Sequence, residues 1–290
     1  MTAAPWRAER VSQHPGQPAW AAPTDGPDRM VAEPWPADVT YDWVFGDADG
    51  EGVRVAVLDS GIDAGHPRVG AVAESVSVVT DESGTPRVRP VPAEDVAGHG
   101  TACAGVIRSL APACTIANVQ VLTGGIYGSG PALLAGLRWA IDEEYDVINL
   151  SLSTSKPGLR NELAELCDSA YFRRTVICSS AHNSPVVSFP WWFSSVISVA
   201  SNNRAAVPDP ERPARHNYNP TPPAEFFAPG VGVEVAWAGR TVIKATGNSF
   251  ATPYLSGLCA RLLSKHPGIT PFQIKHLLYL TSANVGVNRG

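Results

Sequence analysis

The sequence predicts a three-layer α/β/α fold with a mostly parallel central sheet. From residue 39 onward, strand-like apolar runs alternate with helix-like segments, and in the first of these runs the four residues 55–58 are all apolar. Parallel strands are buried on both faces and are joined by helical crossovers, which produces both patterns. The 290 residues, 44% of them hydrophobic, are enough for one large α/β domain or two small ones.

The predicted elements follow one another in a regular order. The last helix opens with Thr270-Pro271-Phe272-Gln273, which combines an N-cap, a proline at the first helical position and a glutamine three residues after the cap. A long helix begins near Ser249. The other predicted strands are 53–58, 116–122, 147–152, 175–179 and 196–200, and the other predicted helices are 101–107, 131–142 and 159–172. Residues 202–223, rich in proline and asparagine, are predicted as a loop.

The chain divides into two parts by composition. Residues 1–38 are rich in proline, alanine and tryptophan and show no sustained helical or strand period. This composition is typical of an extended or partly ordered arm. Residues 39–290 are predicted to form the folded domain.

Composition argues against several classes of partner. A net charge of −5 gives no general attraction to nucleic acid or to anionic membranes. No apolar stretch reaches the roughly 18 residues of a membrane span, and the first residues lack the apolar core of a secretory signal. The five cysteines, an odd number without CxxC spacing, are expected to be buried free thiols of a reducing compartment. The sequence therefore predicts a cytoplasmic protein without nucleic-acid or membrane partners, and it leaves the oligomeric state open.

Three reactive side chains lie where a strand ends or a helix begins. Asp59 ends the first apolar strand, His99 lies between two glycines, and Ser249 begins the long helix. A serine hydroxyl becomes nucleophilic when a histidine removes its proton and a carboxylate orients that histidine. A helix that starts at the nucleophile also directs free N–H groups at the developing charge. The residues therefore predict Ser249 as nucleophile, His99 as base and acid, and Asp59 as orienting carboxylate.

The chain resembles the subtilase family of serine peptidases (peptidase S8). The resemblance rests on the order Asp, His, Ser and on three runs, VAVLDSGI, GHGT and GNSFATP. It implies a subtilisin-like fold and a serine endopeptidase that works through an acyl-enzyme without a cofactor. A fourth run, TVICSSAHN, is similar to the family's strand that ends in an asparagine. It implies that Asn183 forms the oxyanion hole together with the backbone N–H of Ser249.

The resemblance also implies where a peptide or protein substrate binds. The substrate is expected to add as a strand between two segments, which are Ser151, Leu152 and Ser153 on one side and Gly128, Ser129 and Gly130 on the other. Familiar members have glycine in place of Ser153, so a narrower primary specificity pocket is expected. The sequence lacks the family's asparagine-rich calcium loop and shows no metal-ligand spacing, so catalysis is predicted to need no metal.

Two further departures from the family pattern bear on function. Asn248 precedes the nucleophile where many subtilases have threonine, and whether its longer side chain reaches the oxyanion is left open. His182 replaces a common glycine and is interpreted as a turn residue, with a charge near the site as the alternative. Departures of this kind motivate a second hypothesis, a catalytically silent peptide-binding module, but the intact triad and Asn183 favour the enzyme. In a cytoplasmic setting the enzyme is expected to process a precursor peptide or a single partner protein.

The first 38 residues are too few for the folded pro-domain of secreted subtilases. Whether this arm lies over the active site as a short inhibitory segment is left open.

Overall fold

The computed structural model describes residues 35–123, 125, 127–202 and 215–285. Most of the predicted N-terminal arm therefore lies outside the described residues, and the division of the chain near residue 38 stays a prediction. The fold presented below is that of the unit Thr40–Gly290. Among the described residues, no helix is both long enough and apolar enough to span a bilayer.

Strands and helices alternate over most of this unit. The strands are β1 (Arg54–Asp59), β2 (Glu74–Thr80), β3 (Pro86–Pro90), β4 (Thr115–Gln120), β5 (Val147–Leu150), β6 (Val176–Ser180), β7 (Ile197–Asn202), β8 (Asn217–Tyr218), β9 (Phe226–Pro229), β10 (Val233–Trp237) and β11 (Thr241–Ala245). The helices are α1 (Tyr41–Val44), α2 (His99–Leu110), α3 (Gly130–Asp142), α4 (Arg160–Phe172), α5 (Asn248–Lys265) and α6 (Pro271–Leu280).

Nine of the described strands form one twisted sheet in the order β3-β2-β4-β1-β5-β6-β7-β9-β8. The pairs from β2 through β9 are parallel, whereas the outer strands β3 and β8 pair antiparallel with their neighbours. The chain leaves β1 toward β2, returns at β4 and continues at β5 on the other side of β1. β1 therefore lies at the point where the strand order reverses, and such points are where α/β sheets form their sites.

The two faces of the sheet are covered by different helices. Ala56 and Leu58 of β1 belong to a buried cluster that includes apolar residues of α3 and α4. Val55 and Val57 alternate with them and are fully buried on the other face, where α2 and α5 lie. This arrangement confirms the predicted three-layer α/β/α architecture.

The predicted central strands and helices are all present, with ends shifted by three residues or fewer. The predicted N-terminus of α6 is also confirmed, because Thr270 and Gln273 form a reciprocal capping box. The predicted loop 202–223 contains the short strand β8, although residues 203–214 lie outside the described residues. The five cysteines are free and buried, as expected from their apolar surroundings.

Candidate active site

The three predicted catalytic residues lie at one edge of the sheet. Asp59 is the last residue of β1, His99 is the first residue of α2, and Ser249 is the second residue of α5. α2 and α5 pack against each other, so their N-termini meet above the end of β1. The fold therefore brings together residues that are 40 and 150 positions apart in the chain.

Close approach between β1 and α2 depends on Gly100. A Cβ atom at this position would overlap the carbonyl oxygen of Gly61 and lie 2.9 Å from the Cβ of Asp59. Gly98, which precedes the helix, adopts a left-handed conformation with φ of 88°. The two glycines that flank His99 are therefore needed for the backbone path that brings the imidazole to Asp59.

Asp59 and His99 form a short hydrogen bond. The Asp59 Oδ1 atom is 2.7 Å from His99 Nδ1, and it also accepts a hydrogen bond of 2.7 Å from the backbone N–H of Ser60. The Asp59 side chain is fully buried, while 15% of the His99 side chain is exposed. Because a carboxylate oxygen accepts, Nδ1 carries the proton and the other ring nitrogen, Nε2, has the free lone pair.

The surroundings of His99 shift its pKa in opposing directions. Burial of the ring by itself lowers the pKa. The charge of Asp59, the hydrogen bond to it and the charge of Asp95 act the other way and prevail. The pKa of His99 therefore lies above its ordinary value of 6.5, and the charged imidazolium form is stabilised.

Sequence reasoning missed Asp95, a buried carboxylate that holds the start of α2. Its Oδ1 atom accepts from two backbone N–H groups just before His99 and from the Ser60 hydroxyl, at 2.9–3.0 Å. Its Oδ2 atom accepts from the backbone N–H and the hydroxyl of Thr101, at 3.0 and 2.7 Å. The one sequence signal is an acidic residue four positions before His99, at which α2 begins, and its hydrogen bonds depend on how the intervening loop folds. Asp95 thus positions His99 without contacting it through a hydrogen bond.

Ser249 and His99 line the same open cleft of about 400 Å³. Among the described residues, no hydrogen bond joins the Ser249 hydroxyl to His99. Catalytic hydrogen bonds are often loose without substrate and tighten when it binds. Phe250, where many subtilases have methionine, packs against the imidazole with ring centroids 5.5 Å apart.

Two hydrogen-bond donors face the cleft beside Ser249. The side-chain oxygen of Asn183 accepts from the backbone N–H of Asn248 at 3.0 Å, so the amide nitrogen of Asn183 remains free to donate. The backbone N–H of Ser249, in the first turn of α5, has no acceptor in the part of the chain that the structure describes. Asn183 and Ser249 both line the cleft, and their role as the oxyanion hole stays a prediction.

The side chain of Asn248 points away from the cleft. Its oxygen accepts from the backbone N–H and the hydroxyl of Ser201, at 2.8 and 2.6 Å. Its nitrogen donates to the carbonyl oxygens of Ala181 and His182, both at 3.2 Å. Asn248 therefore ties the nucleophile turn to the ends of β6 and β7, and its side-chain donors are not available to an oxyanion.

The carbonyl group of Ser249 is held by a chain of buried polar side chains. In a regular helix this carbonyl would accept from residue 253, but Pro253 has no N–H to donate. The Ser151 hydroxyl donates to it instead at 2.8 Å. Asn149 donates to Ser151 at 3.0 Å and accepts from Ser256 at 2.9 Å, which closes the chain from β5 back to α5.

The two predicted substrate segments lie in different places. Ser151, Leu152 and Ser153 follow β5 and line the cleft. Gly128, Ser129 and Gly130 lead into α3 instead, where the Ser129 hydroxyl caps the helix by accepting from the Ala132 N–H at 3.2 Å. These three do not line the cleft, and their role as a second substrate edge stays a prediction.

His182 forms a local turn, as interpreted from the sequence. Its Nδ1 atom is 3.0 Å from the backbone nitrogen of Ser184, whose N–H donates to it. The ring also lines the cleft, so it is a turn residue at the rim of the site.

Among the described residues, Asp59, His99 and Cys103 are the one group whose donor atoms could jointly hold a metal ion, all within 4.8 Å of one another. Asp59 Oδ1 already accepts from His99 and Ser60. Burial and the charge of Asp59 raise the pKa of the Cys103 thiol well above its ordinary value, which disfavours the thiolate that a metal needs. The prediction that catalysis needs no metal stays a prediction.

The sequence of this chain is similar to those of known proteins. Residues 50–290 match the model of the subtilase family, Peptidase_S8. The chain is 31% identical over 256 residues to Subtilisin amylosacchariticus of Bacillus subtilis subsp. amylosacchariticus, and the match covers 82% of this chain and 62% of that protein. It is also 31% identical over 253 residues to Subtilisin of Bacillus pumilus, with 82% of this chain and 86% of that protein covered.

A solved structure shows the same fold. The crystal structure of a cold adapted subtilisin-like serine proteinase superposes with a TM-score of 0.61 and 24% sequence identity, over 87% of this chain and 88% of that one. The family match covers most of the sequence and includes all three residues of the predicted triad. The chain therefore belongs to the subtilase family.

Proposed function

We propose that this protein is a serine endopeptidase that hydrolyses peptide bonds through an acyl-enzyme on Ser249. The observation that carries the proposal has two parts. A hydrogen bond of 2.7 Å joins Asp59 to His99, and His99 lines the same cleft as Ser249. Two free donors, Asn183 and the Ser249 N–H, lie beside the nucleophile. Nucleophile, base, orienting carboxylate and oxyanion donors are the complete set of groups that acyl transfer requires.

The proposed reaction follows from these positions. Ser249 Oγ attacks the substrate carbonyl carbon while its proton moves to His99 Nε2, and the Asn183 and Ser249 N–H groups bind the resulting oxyanion. The C–N bond then breaks as His99 returns the proton to the departing amine. Water repeats the two steps on the ester, which releases the acid and restores Ser249. Asp59 stabilises the imidazolium in both halves of the reaction.

The substrate in this proposal is an extended peptide or protein segment. Ser151, Leu152 and Ser153 continue beyond β5 along the cleft, so a peptide can pair with this segment as an added strand. The next residue, Thr154, is already paired with Phe189 through two backbone hydrogen bonds of 2.9 Å. That pairing holds one side of the segment rigid and leaves its cleft side for the substrate.

We further propose that the enzyme processes a peptide or a single protein in the cytoplasm. The five free, buried thiols support a reducing environment, because paired cysteines are the rule in oxidising ones. Cleavage of a proteome-derived peptide library tests the processing role. Cleavage confined to a narrow set of sequences is expected, and broad cleavage without preference would contradict it.

Labelling with a fluorophosphonate probe tests the catalytic proposal. The probe reacts with a serine that is activated by a neighbouring base, so the wild-type protein should be labelled and Ser249→Ala should not. His99→Ala should be labelled far more slowly. Ser109→Ala, an exposed serine of α2 outside the cleft, is the matched control and should be labelled like wild type. A folded wild-type protein that binds peptides but is never labelled would instead be the silent binding module.

A further inference from the structure

A second chain of hydrogen bonds lies beside the cleft and ends at Ser153. The indole N–H of Trp191 donates to the Ser188 hydroxyl at 2.7 Å, and Ser188 donates to the Ser153 hydroxyl oxygen at 3.0 Å. Ser188 is fully buried and Trp191 nearly so. Of the three side chains, only that of Ser153 lines the cleft.

The Ser188 hydroxyl both accepts and donates in this chain of hydrogen bonds. The Ser188 oxygen accepts from the indole N–H, which can only donate, and the geometry has the Ser188 hydroxyl donating to the Ser153 oxygen. The Ser153 oxygen accepts that proton, which leaves its own O–H without a partner in the described part of the chain. Ser153 therefore presents a hydrogen-bond donor to the cleft.

The segment that carries Ser153 is held by hydrogen bonds to residues 188 and 189. Ser188 and Ser153 are joined through their side chains, and their neighbours Phe189 and Thr154 are joined through two backbone hydrogen bonds of 2.9 Å. The Phe189 ring also stacks on Phe193 with centroids 5.3 Å apart, which further fixes the paired segment. A side chain of a bound peptide that lies against Ser153 meets its hydroxyl, which takes up space that a glycine at this position would leave open.

We infer that Ser153, positioned by Ser188 and Trp191, selects substrates with a short, hydrogen-bond-accepting side chain, such as asparagine or serine, on the residue whose carbonyl is attacked. This inference rests on the proposed peptidase activity and specifies its substrate class. None of the described residues that line the cleft carries a carboxylate that would repel an oxygen acceptor. Leucine has nearly the shape of asparagine but accepts no hydrogen bond, so it leaves the Ser153 donor unsatisfied.

Matched quenched-fluorescence peptides test the inference. The peptides are identical except for asparagine, serine, leucine or phenylalanine before the cleaved bond. For the wild-type protein, kcat/KM for asparagine should exceed that for leucine by about 10-fold, the upper end of the effect of one neutral hydrogen bond, and phenylalanine should be poorest. Ser153→Ala should bring asparagine and leucine to within about twofold of each other.

Two further variants separate positioning from general damage. Ser188→Ala removes the donor that fixes the Ser153 hydroxyl and should reduce the preference for asparagine to an intermediate value. Ser109→Ala, at the exposed serine of α2 outside the cleft lining, is the control and should keep the wild-type preference. If Ser153→Ala does not fold, the result with Ser188→Ala decides.

Fluorophosphonate labelling of each variant keeps the two proposals distinguishable. Normal labelling with equal cleavage after asparagine and leucine by the wild-type protein would overturn the selection by Ser153 and leave the peptidase proposal standing. An unchanged preference for asparagine in Ser153→Ala would do the same. Absence of labelling of the wild-type protein would overturn both.

Discussion

Replacing Asn248 by aspartate exchanges one NH₂ group for an oxygen and tests how the nucleophile turn is held. The retained oxygen still accepts from the backbone N–H and hydroxyl of Ser201. The new oxygen faces the carbonyl oxygens of Ala181 and His182, to which the amide of asparagine donates at 3.2 Å. Two hydrogen bonds become two contacts between acceptors. We expect a large loss of stability from a change that leaves the shape of the side chain almost intact.

The size of the effect depends on pH in a defined direction. At neutral pH, two lost hydrogen bonds and the carboxylate–carbonyl repulsion together cost about 4 kcal/mol. A protonated carboxyl donates to one of the carbonyls, which reduces the cost to about 1 kcal/mol. The difference of about 3 kcal/mol corresponds to a pKa of the new carboxyl raised by about 2 units in the folded state. Relative to wild type, the variant should therefore be less stable by only about 1 kcal/mol below about pH 4, and it should lose the further ~3 kcal/mol between about pH 4 and 6, with a slope of at most about 1.4 kcal/mol per pH unit.

Urea denaturation at a series of pH values measures this effect. Both proteins carry Ser249→Ala, so that self-digestion does not interfere. Asn161→Asp, the same chemical change at an exposed position in the first turn of α4, is the control and should alter stability by less than about 0.5 kcal/mol. A pH-independent loss in Asn248→Asp, or a loss no larger than that of the control, would refute the assignment of the four hydrogen bonds.

Three further changes test other parts of the site. Only neutral imidazole accepts the proton of Ser249, and the pKa of His99 is raised. The value of kcat/KM should therefore be constant at high pH and fall as the pH drops through a midpoint above 6.5. A midpoint below 6.5 in the pH–rate profile would contradict this expectation. Asn183→Ala should lower kcat by about 10²–10³-fold with little change in KM, because the donor acts on the oxyanion and not on the bound substrate. If inhibitor titration showed that peptide affinity falls by the same factor as kcat, Asn183 would have a binding role instead. Gly100→Ala should lower the melting temperature sharply because its Cβ overlaps the Gly61 carbonyl, whereas Gly158→Ala, with no atom within 4 Å of the added group, should melt like wild type in the same calorimeter.

The central part of the fold was predictable because its strands are buried on both faces. β1, with four consecutive apolar residues before Asp59, has a sequence pattern that few other elements produce. β2 and β3 were missed because they form a half-exposed antiparallel edge with serine, arginine and proline among their residues. The hairpin of β10 and β11 was missed for a similar reason, since most of its positions are partly exposed. Their pairing depends on tertiary packing that single-sequence patterns do not contain.

The reactive residues were predictable from their motifs, whereas the groups that position them were not. Asp59, His99 and Ser249 lie in short runs with characteristic glycines. The role of Asp95 depends on how the loop before α2 folds back on Ser60. The link between Ser153 and Ser188 spans 35 positions and follows from the pairing of the two segments. The direction of the Asn248 amide also required coordinates, because two opposite orientations are compatible with the residue type.

Pro253 has a consequence for how this protein loses function on heating. Since the proline leaves the Ser249 carbonyl to Ser151, which Asn149 holds in turn, the nucleophile is anchored to a middle strand of the sheet. Core strands of this kind generally open only when the whole domain unfolds. If the catalytic turn alone loosened, the buried polar groups of Ser151 and Asn149 would lose their hydrogen-bond partners without gaining water. Thermal inactivation should therefore be all-or-none for each molecule, and a sample with half its activity should contain half its molecules intact.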